Sequence, residues 1–199
     1  SVLSSMLNLT MAVVAGWLAG LLSLAAFVPY ILSTLRGYTK PNRATWSIWM
    51  VNSFVIAASY YSSGATNTIW VAVGYSIGSL VTAILSYRFG TGGWTWLDRN
   101  CLTMAAIALF CWWWFDSALI ALLMSLSVDF AGALPTIRKA YQEPETEDRI
   151  AWSLFLSGNC INLMAIDRWM FKIVIYPAYM VLASGLIALL VLRPRLHND

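Results

Sequence analysis

Charge is scarce in this chain. Of its 199 residues only 11% are Asp, Glu, Lys or Arg, less than half of the roughly 25% usual in soluble domains. Histidine occurs once, at His197, and the three cysteines, Cys101, Cys111 and Cys160, all stand in apolar runs. Such placement points to neither a disulfide framework nor a metal site. With no nucleophile–histidine pairing and no ligand cluster, neither enzymatic activity nor a cofactor is expected. No basic–aromatic patch stands apart from the apolar runs, so no nucleic-acid partner is expected. Strict apolar–polar alternation is missing too, which removes a transmembrane β-barrel. The first charge is Arg36, and no cationic stretch with a small-residue cleavage site marks off a signal peptide.

What remains is apolar. Hydrophobic residues make up 60% of the chain, and its mean hydropathy is +0.70. A crossing helix needs about 20 apolar residues. Seven such segments are read at 11–34, 44–63, 67–87, 96–115, 117–138, 150–166 and 172–192. Backbone inside lipid must satisfy its own hydrogen bonds, so short connections between apolar runs imply an all-α integral membrane bundle. With the N-terminus outside, the inner loops hold Arg36, Lys40, Arg43, Arg88, Arg99, Arg138, Lys139, Arg149, Arg193 and Arg195, leaving only Arg168 and Lys172 outside. That asymmetry predicts a cytoplasmic C-terminus, and a bacterial protein of this kind would occupy the inner, plasma membrane.

The chain also matches itself. Displaced by 106 residues, Ala25 falls on Ala131, Pro29 on Pro135, Arg43 on Arg149, Trp46 on Trp152 and Ser47 on Ser153, with no gap. The repeated unit is three helices, and the fourth span has no counterpart. The expected organisation is a first three-helix bundle over 1–95, a linker helix over 96–116 and a second bundle over 117–199. One extra crossing between two odd-numbered units returns the second to the orientation of the first, giving parallel repeats. Two triplets in one chain make a monomer sufficient.

Three helices, a linker and three helices, with a proline in the first helix of each triplet, resembles the PQ-loop and SWEET superfamily of membrane carriers. The stretch "DFAGALPTIRKAY" is similar to the one that opens the second PQ-loop. Where that family has Pro-Gln, this chain has Pro29-Tyr30 and Pro135-Thr136, so the likeness lies in the architecture and in the Asp129 segment. The resemblance implies alternating access between the two triplets and a proton-binding role for Asp129.

Independently of that likeness, Asp129 is the residue that lipid least tolerates. A carboxylate at a span centre costs roughly 2.5–3.5 kcal/mol on insertion scales, unless it faces a cavity, takes up a proton or is satisfied by neighbouring side chains. Pro29 and Pro135 each remove a helical hydrogen bond and are read as hinges or as plain kinks. Asn52, Ser53, Asn159 and Asn162 lie near the middle of spans 2 and 6, and Tyr75 and Tyr179 are central to spans 3 and 7. All six, with Asp129, are candidate substrate-binding residues, interhelical hydrogen bonding being the competing reading for the amides. Arg43 and Arg149 are candidate gate residues or topology anchors. Trp46 and Trp152 are expected in the interfacial belt, and "EPETED", 143–148, is an acidic loop able to pair with Arg138, Lys139 or Arg149. Gly16-x-x-x-Gly20 and Gly74-x-x-x-Gly78 are close-packing signals. The expectation is a carrier that moves a small polar metabolite, such as a sugar, an amino acid or a vitamin-like molecule. The alternative is a receptor of the same shape without transport.

Overall fold

Helix ends fall where the sequence supplies caps. In the computed structural model, which describes residues 2–93 and 96–194, seven α-helices follow one another: α1 (Val2–Leu35), α2 (Arg43–Ser62), α3 (Ile69–Phe89), α4 (Trp96–Phe115), α5 (Ala118–Gln142), α6 (Arg149–Met164) and α7 (Phe171–Leu192). The side chains of residues 2–5, 97, 98, 101, 102, 105, 108, 109 and 112 fall outside the description, and Arg195 and His197 lie beyond it. The carboxamide of Asn42 accepts the Thr45 N–H (3.0 Å) at the start of α2, and the carboxylate of Asp148 accepts the Ala151 N–H (2.7 Å) at the start of α6. Each satisfies one of the donors left free at a helix N-terminus. A short 3-10 turn, Pro144–Thr146, separates α5 from α6.

Among the described residues, four helices are long and apolar enough to cross a membrane: α1 from Met6, α3, α5 and α7. They carry large apolar side chains outward, Ile84 at 63% exposure and Leu189 at 71% among them, consistent with an integral membrane protein. Seven spans were expected from the sequence. α6 has 16 residues and rises only about 24 Å at 1.5 Å per residue, short of a roughly 30 Å hydrocarbon layer. α2 is long enough, but it is rich in polar residues, and Thr45, Ser47, Asn52, Ser53, Ser59 and Tyr60 are buried inside the bundle. Both helices bury polar side chains against neighbouring helices and keep apolar ones exposed, Phe54 on α2 and Met164 on α6 among them. α1 begins well before the expected residue 11 and runs for 34 residues.

The packing is pairwise. α3 lies against both α1 and α2, α7 lies against both α5 and α6, and the two triplets meet through α1 on α6 and α2 on α5. α4 packs on α5 and, to a lesser extent, on α2. The glycine motifs bring α1 and α3 together as expected: a Cβ on Gly20 would stand 2.6 Å from that of Trp70, and one on Gly78 would stand 2.1 Å from the Phe27 ring.

The loops gather at two ends. At one end the Arg43 N–H donates to the Thr91 carbonyl (2.9 Å) and the Lys40 N–H to that of Thr146 (3.2 Å). Lys139 there pairs with Glu147 and also donates to the Lys40 carbonyl. At the other end the Thr66 hydroxyl donates to the Asp167 carboxylate (3.1 Å), and the Arg168 guanidinium reaches the Gly64 carbonyl. Each end is therefore clasped by contacts between one loop of the first triplet and one of the second.

Candidate functional site

Between the two clasped ends, α2, α3, α5, α6 and α7 surround a narrow cavity. Its polar lining includes Ser53, Tyr75, Ser79, Asp129 and Ser184. The cavity volume is about 40 Å³. At roughly 10–15 Å³ per water this admits a few waters, whereas sites that hold a drug-sized ligand enclose about 300–1,000 Å³.

Asp129 is the one charged residue in the lining. It comes from the middle of α5, and the Tyr179 hydroxyl on α7 donates to its carboxylate (2.6 Å). The Trp49 indole N–H on α2 donates to the Asp129 backbone carbonyl (3.1 Å), and both residues line the cavity. No cation pairs with Asp129: among the described residues the ion pairs are Lys139–Glu147 and Arg168–Asp167, at the two ends of the bundle.

A second polar cluster forms around Asn159, behind the lining residues Tyr75 and Ser184. The Asn159 amide nitrogen on α6 lies within hydrogen-bond distance of three acceptors that share its two N–H groups, the Tyr75 hydroxyl (3.1 Å), the Ser184 hydroxyl (3.0 Å) and the Met180 carbonyl (3.3 Å). Two lining hydroxyls turn back into their own helices: Ser53 donates to the Met50 carbonyl (3.0 Å) and Ser184 to that of Met180 (2.6 Å).

The wall towards the α1–α2 loop is aromatic. Ring centroids run from Trp46 to Trp49 (5.0 Å), Trp152 (6.5 Å), Phe155 (5.4 Å), Tyr75 (5.4 Å) and Phe27 (5.8 Å), and close on Trp46 (5.8 Å). Most of these pairs meet edge to face, the arrangement that the ring quadrupole favours. Gly78 leaves the room that Phe27 occupies.

The structure thus brings Ser53, Tyr75 and Asp129 to the cavity and sets Asn159 and Tyr179 one hydrogen bond behind them. Asn52 is fully buried, and its amide donates to the Ser125 carbonyl (2.8 Å), tying α2 to α5. Asn162 directs its amide to the Thr68 carbonyl (3.5 Å). Both serve between helices and lie away from the cavity lining. Pro29 and Pro135 lie inside α1 and α5, which continue through them. Arg43 donates to the Ser86 carbonyl (3.1 Å) and holds the end of α3, while Arg149 is exposed at the start of α6. Trp46 and Trp152 are buried, at 1% and 3% exposure, and line the cavity, contrary to the interfacial belt expected of them. Their indole N–H groups donate to Tyr30 (3.1 Å) and Glu147 (2.8 Å), so the polar edge of each ring is satisfied by protein.

Sequence reasoning passed over Tyr176, Met180 and Ser184, all cavity-lining residues of α7. Their spacing of four was the available signal. It also passed over Pro177: the Ile173 carbonyl, left without its helical donor four residues on, accepts the Tyr60 hydroxyl (2.7 Å). No family model, curated protein or solved structure matches this chain.

Proposed function

We propose that the chain is a seven-span membrane carrier that moves a small polar metabolite by alternating access between α1–α3 and α5–α7. The observation that carries this reading is Asp129, a carboxylate without a cationic partner among the described residues, facing a narrow cavity midway between two clasped ends. A carboxylate held there for packing alone would be costly; one that meets a substrate or a coupling proton has a use.

Several observations support two related halves. Exchanging α1–α3 for α5–α7 leaves the main packed pairs unchanged: α1–α6 becomes α5–α2, and α1–α3 becomes α5–α7. The caps Asn42 and Asp148 stand 106 residues apart, as do the N–H groups that they accept. This arrangement resembles the PQ-loop and SWEET superfamily, whose pseudo-symmetric halves would rock about the cavity. The end that gathers loops 36–42, 90–93 and 143–148 is assigned to the cytoplasm by the positive-inside rule.

The clasps supply the test. In a cysteine-free background, Lys40→Cys with Thr146→Cys joins the loops at one end, and Thr66→Cys with Asp167→Cys joins them at the other. Uptake into proteoliposomes is followed for labelled sugars, amino acids, heterocycles and organic cations. Either cross-link is expected to stop uptake, and reduction to restore it. Uptake that continues with both ends fully cross-linked overturns alternating access, and absence of uptake for every solute favours a receptor.

A further inference from the structure

We propose that the cavity takes a small organic monocation, its positive nitrogen held by the Asp129 carboxylate and the aromatic faces beside it. The proposal rests on reading the cavity as the substrate site and names the class of substrate.

Two features of the lining select a cation. Asp129 is its one charged residue, and no Lys or Arg pairs with that carboxylate among the described residues. A neutral ligand that displaced water from the cavity would leave the charge poorly solvated, whereas a cation would neutralise it. The second feature is the wall. Trp49, whose indole N–H reaches the Asp129 backbone, continues into Trp46, Trp152 and Phe155, while Tyr75 and Tyr176 line the cavity from α3 and α7. Ring faces carry the negative side of the aromatic quadrupole and attract ammonium groups. An alkylated ammonium needs only charge and apolar contact. The cavity is small, so its walls must part to admit the cation.

The test compares choline with its uncharged carbon isostere, 3,3-dimethylbutan-1-ol, on the purified full chain in detergent. Tryptophan fluorescence and thermal stability are read together. Choline is expected to change both saturably, and the isostere to change neither. Asp129→Asn should abolish the choline response while the variant remains monodisperse. Should that variant fail to fold, Trp49→Leu against Trp49→Phe decides: loss of the ring face should weaken choline about tenfold, the equivalent of roughly 1.4 kcal/mol, and phenylalanine should recover most of it. Equal responses to choline and its isostere, no choline response, or full binding by Trp49→Leu would each overturn the proposal. Binding needs no transport, so the two readings fail separately. Choline bound but never carried would sink the carrier and keep the cation site. Uptake of a neutral solute without cation binding would do the reverse.

Discussion

Two corners of the bundle stand 106 residues apart and are built from opposite chemistry. Where α2 crosses α5, Asn52 donates to the Ser125 carbonyl and Trp49 to that of Asp129, and Tyr179 caps the carboxylate. At the positions 106 residues away, where α1 crosses α6, the chain has Gly158, Ala19, Phe155, Ser23 and Val73. Contacts recur at the second corner: a Cβ on Gly158 would meet the Ser23 Oγ at 2.8 Å and the Ala19 carbonyl at 3.4 Å. One corner approaches through side-chain hydrogen bonds and the other through the absence of a side chain. On the proposed repeat Ser23 holds the place of Asp129, so the α1–α6 crossing is made without a carboxylate.

The largest effect is expected from forcing the apolar corner to match the polar one. Ser23 is fully buried, and no hydrogen-bond partner satisfies its hydroxyl. Ser23→Asp would place a charge there with Val73 where the other corner has Tyr179. An unpaired buried charge costs about 3 kcal/mol or more, so the variant should lose most of its thermal stability in detergent. A melting temperature unchanged by Ser23→Asp would break the comparison, since it would mean that both corners accept a carboxylate.

Smaller effects sharpen it. Gly158→Ala crowds Ser23 and the α1 backbone and should cost about 1–3 kcal/mol, the usual penalty of overpacking. Asn52→Ala removes one interhelical hydrogen bond, for which measured values in membranes average about 0.6 kcal/mol and reach about 1.7. Thermal unfolding of the two variants side by side checks the order. If Asn52→Ala proved the more damaging, the polar corner would be a structural keystone, and its Asp129 would be drawn into that role.

Much of the helix plan was legible because long apolar runs and their punctuation are local signals: Asn42 and Asp148 sit one residue before helices that start with arginine. The membrane status of α2 and α6 was less so, since the hydropathy of a segment does not say whether its polar side chains face lipid or other helices. Asp129 stood out because lipid makes an isolated carboxylate anomalous, and its partner Tyr179 lay on the segment expected. The fate of the amides was not legible. Asn52 and Asn159 both sit near mid-helix, yet one bonds a backbone carbonyl across α2–α5 and the other organises hydroxyls behind the cavity. Neither could the buried place of Trp46 and Trp152 be read, because a tryptophan near a span end fits the belt and a packed core equally well.

The smallest effect on stability is expected at Asp129 itself. In Asp129→Asn the amide oxygen can still accept the Tyr179 hydroxyl, so only the strengthening that charge gives to that hydrogen bond is lost. Against this, the folded state no longer holds a partly buried charge without a cationic partner, which removes a desolvation cost. The two changes oppose each other, and the melting temperature should stay within the equivalent of about 0.5 kcal/mol of the parent or rise. Function should separate from stability. If Asp129 anchors a cation, solute exchange across proteoliposomes and gradient-driven uptake both fail in this well-folded variant. Exchange that survives while gradient-driven uptake is lost would reassign the carboxylate to a coupling proton, because exchange needs no net proton movement. A variant that melts early with its transport intact would make Asp129 a structural residue, and the contrast between the two corners would then be one of packing alone.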